Sequence, residues 1–287
     1  MKNIPVRHIN ESQKELNLSD NFGIRDIANL LAGKDMVQQL HRHDYFLIFA
    51  FKKGSGSHEI DFTSYEISDN SFFLMRPGQV HQITLKAGST GYLMQFSTDF
   101  YYPNDIASGQ LLRKASSKNL CQLDDRRDKK LFAILNYIFQ EYADKEEGYK
   151  EVVKANLGIF FIEFVRHRQD NKTPADSSTL YTQERIEKFL ELLEKNISKF
   201  KQVSQYADML NMTTYQLNAI TKSSLNKTCS ELINEHIILE AKRNLLATSN
   251  QVNQIADFLG YEDISYFIRF FKKHTGYSPE VFRNYFK

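Results

Sequence analysis

Several things are scarce in this sequence. It has two cysteines in 287 residues, Cys121 and Cys229, widely separated and without a CxxC pair. That excludes a disulfide framework or a thiolate zinc site as the basis of the fold. Five prolines and 12 glycines are too few for a collagenous or low-complexity chain. No charge of one sign dominates either. With 37 basic and 35 acidic residues the formal net charge is +2, so charge alone does not point to a polyanion partner. Long apolar runs are absent. The densest, FLIFAF at 46–51, is far too short to cross a bilayer. The opening MKNIPVRHINESQKELNL has neither the apolar segment nor the small-residue cleavage site of a secretory signal. A cytoplasmic protein without a membrane partner is expected. An apolar content of 41 % is ample for packed cores, and the length suits more than one domain and fewer than three.

The text changes character along the chain. Up to about residue 100, short aromatic and β-branched runs (HDYFLIFAF, HEIDF, SFFLMR, HQITL, GYLMQFS) alternate with turn signals such as KKGSGS, SDN and RPGQ. Such spacing predicts an antiparallel barrel or sandwich. From about 124 the period is helical. Leu131, Ile134, Leu135, Ile138 and Phe139 form one stripe, and Leu157, Phe160, Phe161, Phe164 and Val165 form another. The short break ADKEEG predicts an antiparallel helix pair, serving either as a dimer surface or as a cover for the barrel. A polar, proline-containing stretch at 168–180 reads as a linker. The expected division is therefore 1–167, a linker at 168–180, and an all-helical unit at 181–287.

One octet is written nearly twice: VSQYADML at 203–210 and VNQIADFL at 252–259. In each copy Val, Ala and Leu fall at i, i+4 and i+7, one helical stripe. Asn211 or Gly260 follows, the residue types that best accept the left-handed conformation ending a helix. Thr213 or Thr214, and Asp263, are candidate N-caps of a second helix. The unit is a helix-turn-helix, present in duplicate. On a helical wheel, Ile264, Ser265, Ile268, Arg269 and Lys272 share one arc, opposite the aromatics Tyr266, Phe267, Phe270 and Phe271. Thr214, Tyr215, Asn218, Ala219 and Lys222 occupy the same arc in the first copy, with Leu217 and Ile220 on the buried side. These ten residues are the candidate DNA-reading faces. SELINEHIILEAKRNLL, 230–246, lies between the copies and reads as a rigid helical strut. Its length suits two reading helices about one turn of DNA, roughly 34 Å, apart.

At this point a resemblance is clear. IILEAKRNLLATSNQVNQIADFLGYEDISYFIRFFKKHTGYSPEVFR is similar to the double helix-turn-helix signature of the AraC/XylS family of bacterial transcription regulators. The resemblance spans about 105 residues and implies promoter double-stranded DNA and RNA polymerase as partners. Carried over by position, it puts Tyr215, Asn218 and Ala219 on bases from the first copy. Ile264, Ser265, Ile268 and Arg269 read bases from the second, with Arg269 suited to guanine O6 and N7. Ala219 departs from the long polar residue many relatives carry, which leaves more of the readout to Asn218 and Tyr215.

The stretch from HRHDYFLIFAF to RPGQVHQITL resembles the cupin-like effector domain of the same regulators. His41 and His43, at HxH spacing, share one face of a strand, and His81 follows a Pro-Gly turn. Three imidazoles suit a transition metal. However, metal cupins add a glutamate a few residues after HxH, and here those positions are Phe46, Leu47 and Ile48. No metal and no cofactor are therefore expected. His41, His43, Tyr45 and His81 are expected to bind a small effector such as a sugar or a small aromatic. The fold class expected is α+β in two domains, a cupin-like barrel with a helix pair followed by an all-α double helix-turn-helix. The function expected is an effector-responsive, homodimeric activator rather than an enzyme. Two rivals share these features: a metal cupin enzyme with a DNA-binding tail, and a regulator governed by a protein partner.

Overall fold

A computed structural model describes residues 6–7, 21–101, 106–123, 125–169 and 177–286. The chain divides into two compact units, Pro5–Thr173 and Pro174–Lys287.

The first unit is built on β1 (Val6–Arg7), β2 (Phe22–Asp26), β3 (Met36–His43), β4 (Phe46–Lys53), β5 (Gly56–Ile60), β6 (Thr63–Ile67), β7 (Ser71–Met75), β8 (Val80–Leu85), β9 (Thr90–Phe96) and β10 (Leu120–Gln122). They form two five-stranded sheets, in the orders β1-β3-β8-β5-β6 and β10-β7-β4-β9-β2. Pairing is antiparallel except between β1 and β3. Short helices α1 (Ile27–Leu31), α2 (Thr98–Tyr101) and α3 (Ile106–Ala115) precede the long pair α4 (Asp125–Asp144) and α5 (Tyr149–Gln169).

The run FLIFAF is uninterrupted because β4 is buried on both faces. Its alternate residues serve two cores. Leu47, Phe49 and Phe51 join Ile60, Phe73, Met75, Ile83 and Leu85 between the sheets. Phe46, Ile48 and Ala50 face the other way, with Phe72 and Phe96, into a core shared with the helices. The stripes read from the sequence lie in that second core: Leu131, Leu135 and Ile138 from α4, and Leu157, Phe160, Phe161, Phe164 and Val165 from α5. Phe72 meets Phe132 and Phe160 with ring centroids 5.3 and 6.3 Å apart. Those stripes therefore cover the sheet, and a dimer contact would have to use other residues of the pair.

The second unit contains α6 (Ser177–Asn196), α7 (Val203–Met209), α8 (Thr214–Leu225), α9 (Cys229–Ala247), α10 (Val252–Phe258), α11 (Ile264–Thr275) and α12 (Pro279–Tyr285). Helices reach into the expected linker from both sides, α5 to Gln169 and α6 from Ser177, and 170–176 lies outside the described residues. A polar helix end carries no apolar stripe, so period reading stops short of it. The fold class is α+β, with an antiparallel β unit and its helix pair followed by an all-α double helix-turn-helix.

Candidate functional site

The two copies of the helix-turn-helix are built by the same devices. Gln205 Oε1 accepts the Gln202 N–H at 2.9 Å at the start of α7, and Gln254 Oε1 accepts the Gln251 N–H at 2.9 Å at the start of α10. Each first helix ends on a left-handed residue, Asn211 at φ 53° and Gly260 at φ 72°. Each end is closed by the same backbone bond, between residues five apart. Met212 N–H donates to the Ala207 carbonyl and Tyr261 N–H to the Ala256 carbonyl, both at 2.9 Å. The second helices are capped by Thr213, which accepts from Gln216 N–H at 3.1 Å, and by Asp263, which accepts from Ser265 N–H at 2.7 Å.

Glycine is required at the second turn for a further reason. A Cβ on Gly260 would stand 2.0 Å from the Ser198 carbonyl oxygen. The loop after α6 also reaches the turn through Lys201, whose ammonium donates to the Gly260 carbonyl at 2.9 Å and lies 5.0 Å from the Tyr261 ring centre. The second copy is thus held to the loop in front of the first, as well as by α9.

With caps and turns matched, α8 and α11 bury the same positions. Leu217 and Thr221 are buried in α8, and Phe267 and Phe271 in α11. Opposite them, Thr214, Ala219 and Lys222 are exposed, and Tyr215 is 82 % exposed. On α11, Ile264, Ser265, Arg269 and Lys272 are exposed and Ile268 is half-buried. Arg269 lies 3.9 Å from the Asp263 carboxylate, with both side chains in solvent. Such a loose ion pair restrains the guanidinium by little.

Tyr266 differs from the sequence reading, and Asn218 has internal partners that the reading did not show. Tyr266, assigned to the aromatic core face, is 55 % exposed and stacks on Tyr261 with ring centroids 5.9 Å apart. It sits at the edge of the buried arc, where a phenol keeps its ring packed and its hydroxyl in water. Asn218 is only half exposed, and its amide is engaged internally. Oδ1 accepts the Cys229 N–H at 3.0 Å, and Nδ2 donates to the Thr214 carbonyl at 3.0 Å. The amide is thereby held against the start of α9.

In the β unit, cross-strand register gathers the histidines. His41 pairs directly with His81 across β3 and β8, just after a register shift in β3 between Gln38 and His41. His43 lies two residues on, on the same face. His43 Nε2 and His81 Nε2 are 2.8 Å apart, and the Tyr45 ring stands 4.5 Å from that of His43. A fourth imidazole that sequence reasoning missed, His58 of β5, places Nε2 2.9 Å from His81 Nδ1. Its signal was available, since His58 and Ile60 fall on one face of a strand and Ile60 is core. Burial, followed by the proximity of His41, pushes the His58 imidazole down to about 3, so it is neutral in the folded protein. The His41, His43 and His81 rings border a cavity of about 90 Å³ lined also by Arg25, Tyr45, Phe49 and Gln95. It is smaller than the roughly 300–1,000 Å³ usual for organic ligands.

The geometry describes one class of protein, a β domain with a histidine-lined cavity followed by a duplicated helix-turn-helix. Comparison with known proteins agrees. A family model described as an AraC-like ligand binding domain matches residues 33–155, and one described as a helix-turn-helix domain matches 206–285. The chain belongs to the AraC/XylS family of transcriptional regulators. It is 22 % identical over 261 residues to the uncharacterized HTH-type transcriptional regulator YfiF of Bacillus subtilis, covering 86 % of this chain and 79 % of that protein. It is 23 % identical over 247 residues to the HTH-type transcriptional activator RhaS of Pectobacterium carotovorum, covering 85 % and 87 %. Likeness to the transcriptional activator CsvR of Escherichia coli is higher, 31 %, but extends over 33 % of this chain and 36 % of that protein. Among the described residues no helix is long and apolar enough to cross a membrane.

Proposed function

We propose that this protein is an effector-responsive activator that binds promoter DNA through α8 and α11, and that it is a regulator and not an enzyme. The observation that carries this reading is the repetition of one surface. Two helices capped at the same position, after the same turn and with the same buried positions, present the same arc to solvent, and in each that arc ends in a lysine, Lys222 or Lys272. The strut α9 between them has 19 residues, about 28 Å at helical rise, a length compatible with successive major-groove segments.

Within that reading, Thr214, Tyr215 and Ala219 face the first segment, with Asn218 beside them holding their helix against α9, and Ile264, Ser265, Ile268 and Arg269 face the second. Lys222 and Lys272 contact phosphates. Activation is supported by the relatives named as activators and carries RNA polymerase as a partner. The β unit senses a small effector at His41, His43, Tyr45 and His81. Homodimerisation through α4 and α5 is supported by apolar side chains left in solvent, Tyr137, Ile159 and Ile162. The functional division follows the expected one, an effector and dimer domain at 1–167, a linker at 168–180 and a DNA-binding domain at 181–287, in the cytoplasm. The test is selection of duplexes from a random pool by the full chain. Enrichment of a two-part motif supports the reading, and recovery of unenriched sequence overturns it.

A further inference from the structure

The cavity in the β unit carries more chemistry than hydrogen bonding. One ring nitrogen from each of His41, His43 and His81 lies within 4.8 Å of the other two, and all three side chains are buried. Their tautomers are constrained from outside. A carbonyl can only accept, so the 2.7 Å contact between His41 Nδ1 and the Gln39 oxygen is an N–H donation that leaves the lone pair on Nε2. His81 Nδ1 faces His58 Nε2 at 2.9 Å. Between His43 Nε2 and His81 Nε2, 2.8 Å apart, one proton occupies the space where two lone pairs converge. A backbone carbonyl and a further imidazole are the kind of outer partners that orient metal-binding histidines and raise their basicity.

We propose that His41, His43 and His81 bind one first-row transition-metal ion through their Nε2 atoms, with His58 as the outer partner of His81, and that this ion is the species the β unit senses. The proposal rests on the reading of that unit as a sensor. Two magnitudes favour an ion over an organic effector. The cavity is about 90 Å³, room for an ion and its bound water but not for a sugar. Nitrogens bonded to one metal at about 2.1 Å stand about 3.0 Å apart at a right angle and about 3.4 Å apart at the tetrahedral angle. The 2.8 Å separation of His43 and His81 approaches both spacings, and the set of three, within 4.8 Å of one another, draws together as the ion binds. The missing cupin glutamate does not oppose this, because a set of three neutral imidazoles selects borderline metals over Mg²⁺ and Ca²⁺. Arg25 also lines the cavity, and its positive charge is a cost that the three imidazole ligands must offset.

The full chain, stripped with a chelator, is titrated with Co²⁺ while its d–d absorption and its melting temperature are followed. Saturation at one equivalent is expected, with a rise in melting temperature as the ion binds the folded state. His43→Gln and His81→Gln should each weaken binding at least 100-fold. His58→Gln should weaken it about 10–100-fold with the stoichiometry kept. The chelated parent chain supplies the melting reference, so the cobalt-dependent rise is informative even if one variant does not fold. No saturable uptake, or uptake indifferent to all three variants, overturns the proposal. The affinity for a selected duplex is then measured with and without one equivalent of Co²⁺, and a change of at least tenfold is expected. Unchanged affinity despite uptake overturns the sensing role. Sequence-specific DNA binding by a chain that takes up no ion overturns the metal proposal and leaves the regulator reading standing. Loss of sequence preference under all conditions removes the regulator reading itself.

Discussion

The side-chain oxygen of Asn218 accepts the backbone N–H of Cys229 at 3.0 Å, tying the first recognition helix to the first residue of the strut. That N–H is one of the four a helix start leaves without an internal partner. Thr228 and Glu231 already form a capping box at the same end, with Glu231 Oε2 accepting the Thr228 N–H at 2.7 Å. Asn218 therefore adds an inter-helix bond to a terminus that is otherwise well capped.

Removal of this amide should act on stability and on all DNA alike. Asn218→Ala is expected to cost about 1–3 kcal/mol in denaturant unfolding, by leaving a part-buried N–H unpaired. The selected motif should be unchanged. Asn218→Asp keeps the acceptor and should recover most of the stability. A changed base preference in Asn218→Ala with normal stability would return the residue to direct readout.

Arg269 and Lys272 should separate by kind of contact. Arg269→Ala is expected to lose about 1–3 kcal/mol of affinity and relax preference at one base position. Lys272→Ala should weaken every sequence equally and reduce the slope of log affinity against log salt by about one. Binding to a panel of single-base variants at several salt concentrations distinguishes the two patterns.

The second turn should be less tolerant than the first. Gly260→Ala combines a left-handed backbone with a Cβ 2.0 Å from the Ser198 carbonyl. The backbone strain alone costs about 1–3 kcal/mol, and displacement of Ser198 adds to it. Asn211→Gly removes a side chain from a conformation glycine accepts freely and should be nearly neutral. Thermal melts of the two variants test the contrast. Similar stability would mean that the loop at 198–201 yields easily.

The β unit should weaken in mild acid. The His58 imidazole is held at about 3 when folded, against 6.5 when unfolded, with burial the main cause. Between those values the unfolded chain binds a proton that the folded chain does not. The stability from this group is fully present above about pH 6.5 and falls by about 1.4 kcal/mol per pH unit toward pH 3. Urea unfolding of chelator-treated protein between pH 7.5 and 5 measures the slope, and His58→Gln should flatten it by that amount. An equal slope in parent and variant would place an uncharged His58 in doubt.

Periodicity made most of the fold legible. The repeated octets forecast both turns, down to the left-handed Asn211 and Gly260, because the pattern that fixes a helix end is local. The apolar run FLIFAF forecast strand β4 but not that it serves two cores, since a run without polar residues names no preferred face. Tyr266 was misassigned because a wheel gives direction without distance from the core. The pairings of Asn218 and His58 escaped for a different reason. Their partners, Cys229 and His81, are set by packing between elements, and nothing in the spacing of single residues announces which polar side chain an adjacent element will engage. The convergence of His41 with His81 depends on a register shift in β3, which the sequence does not mark.

The central claim is that α8 and α11 read two segments of one duplex together. Hydroxyl-radical footprinting and guanine N7 methylation interference, on a selected duplex bound by the full chain, test it most directly. Interference is predicted in two major-groove patches about 10–10.5 base pairs apart on the same side of the DNA, with the patch assigned to α11 lost in Arg269→Ala. A single patch, or two on opposite sides of the helix, would contradict it.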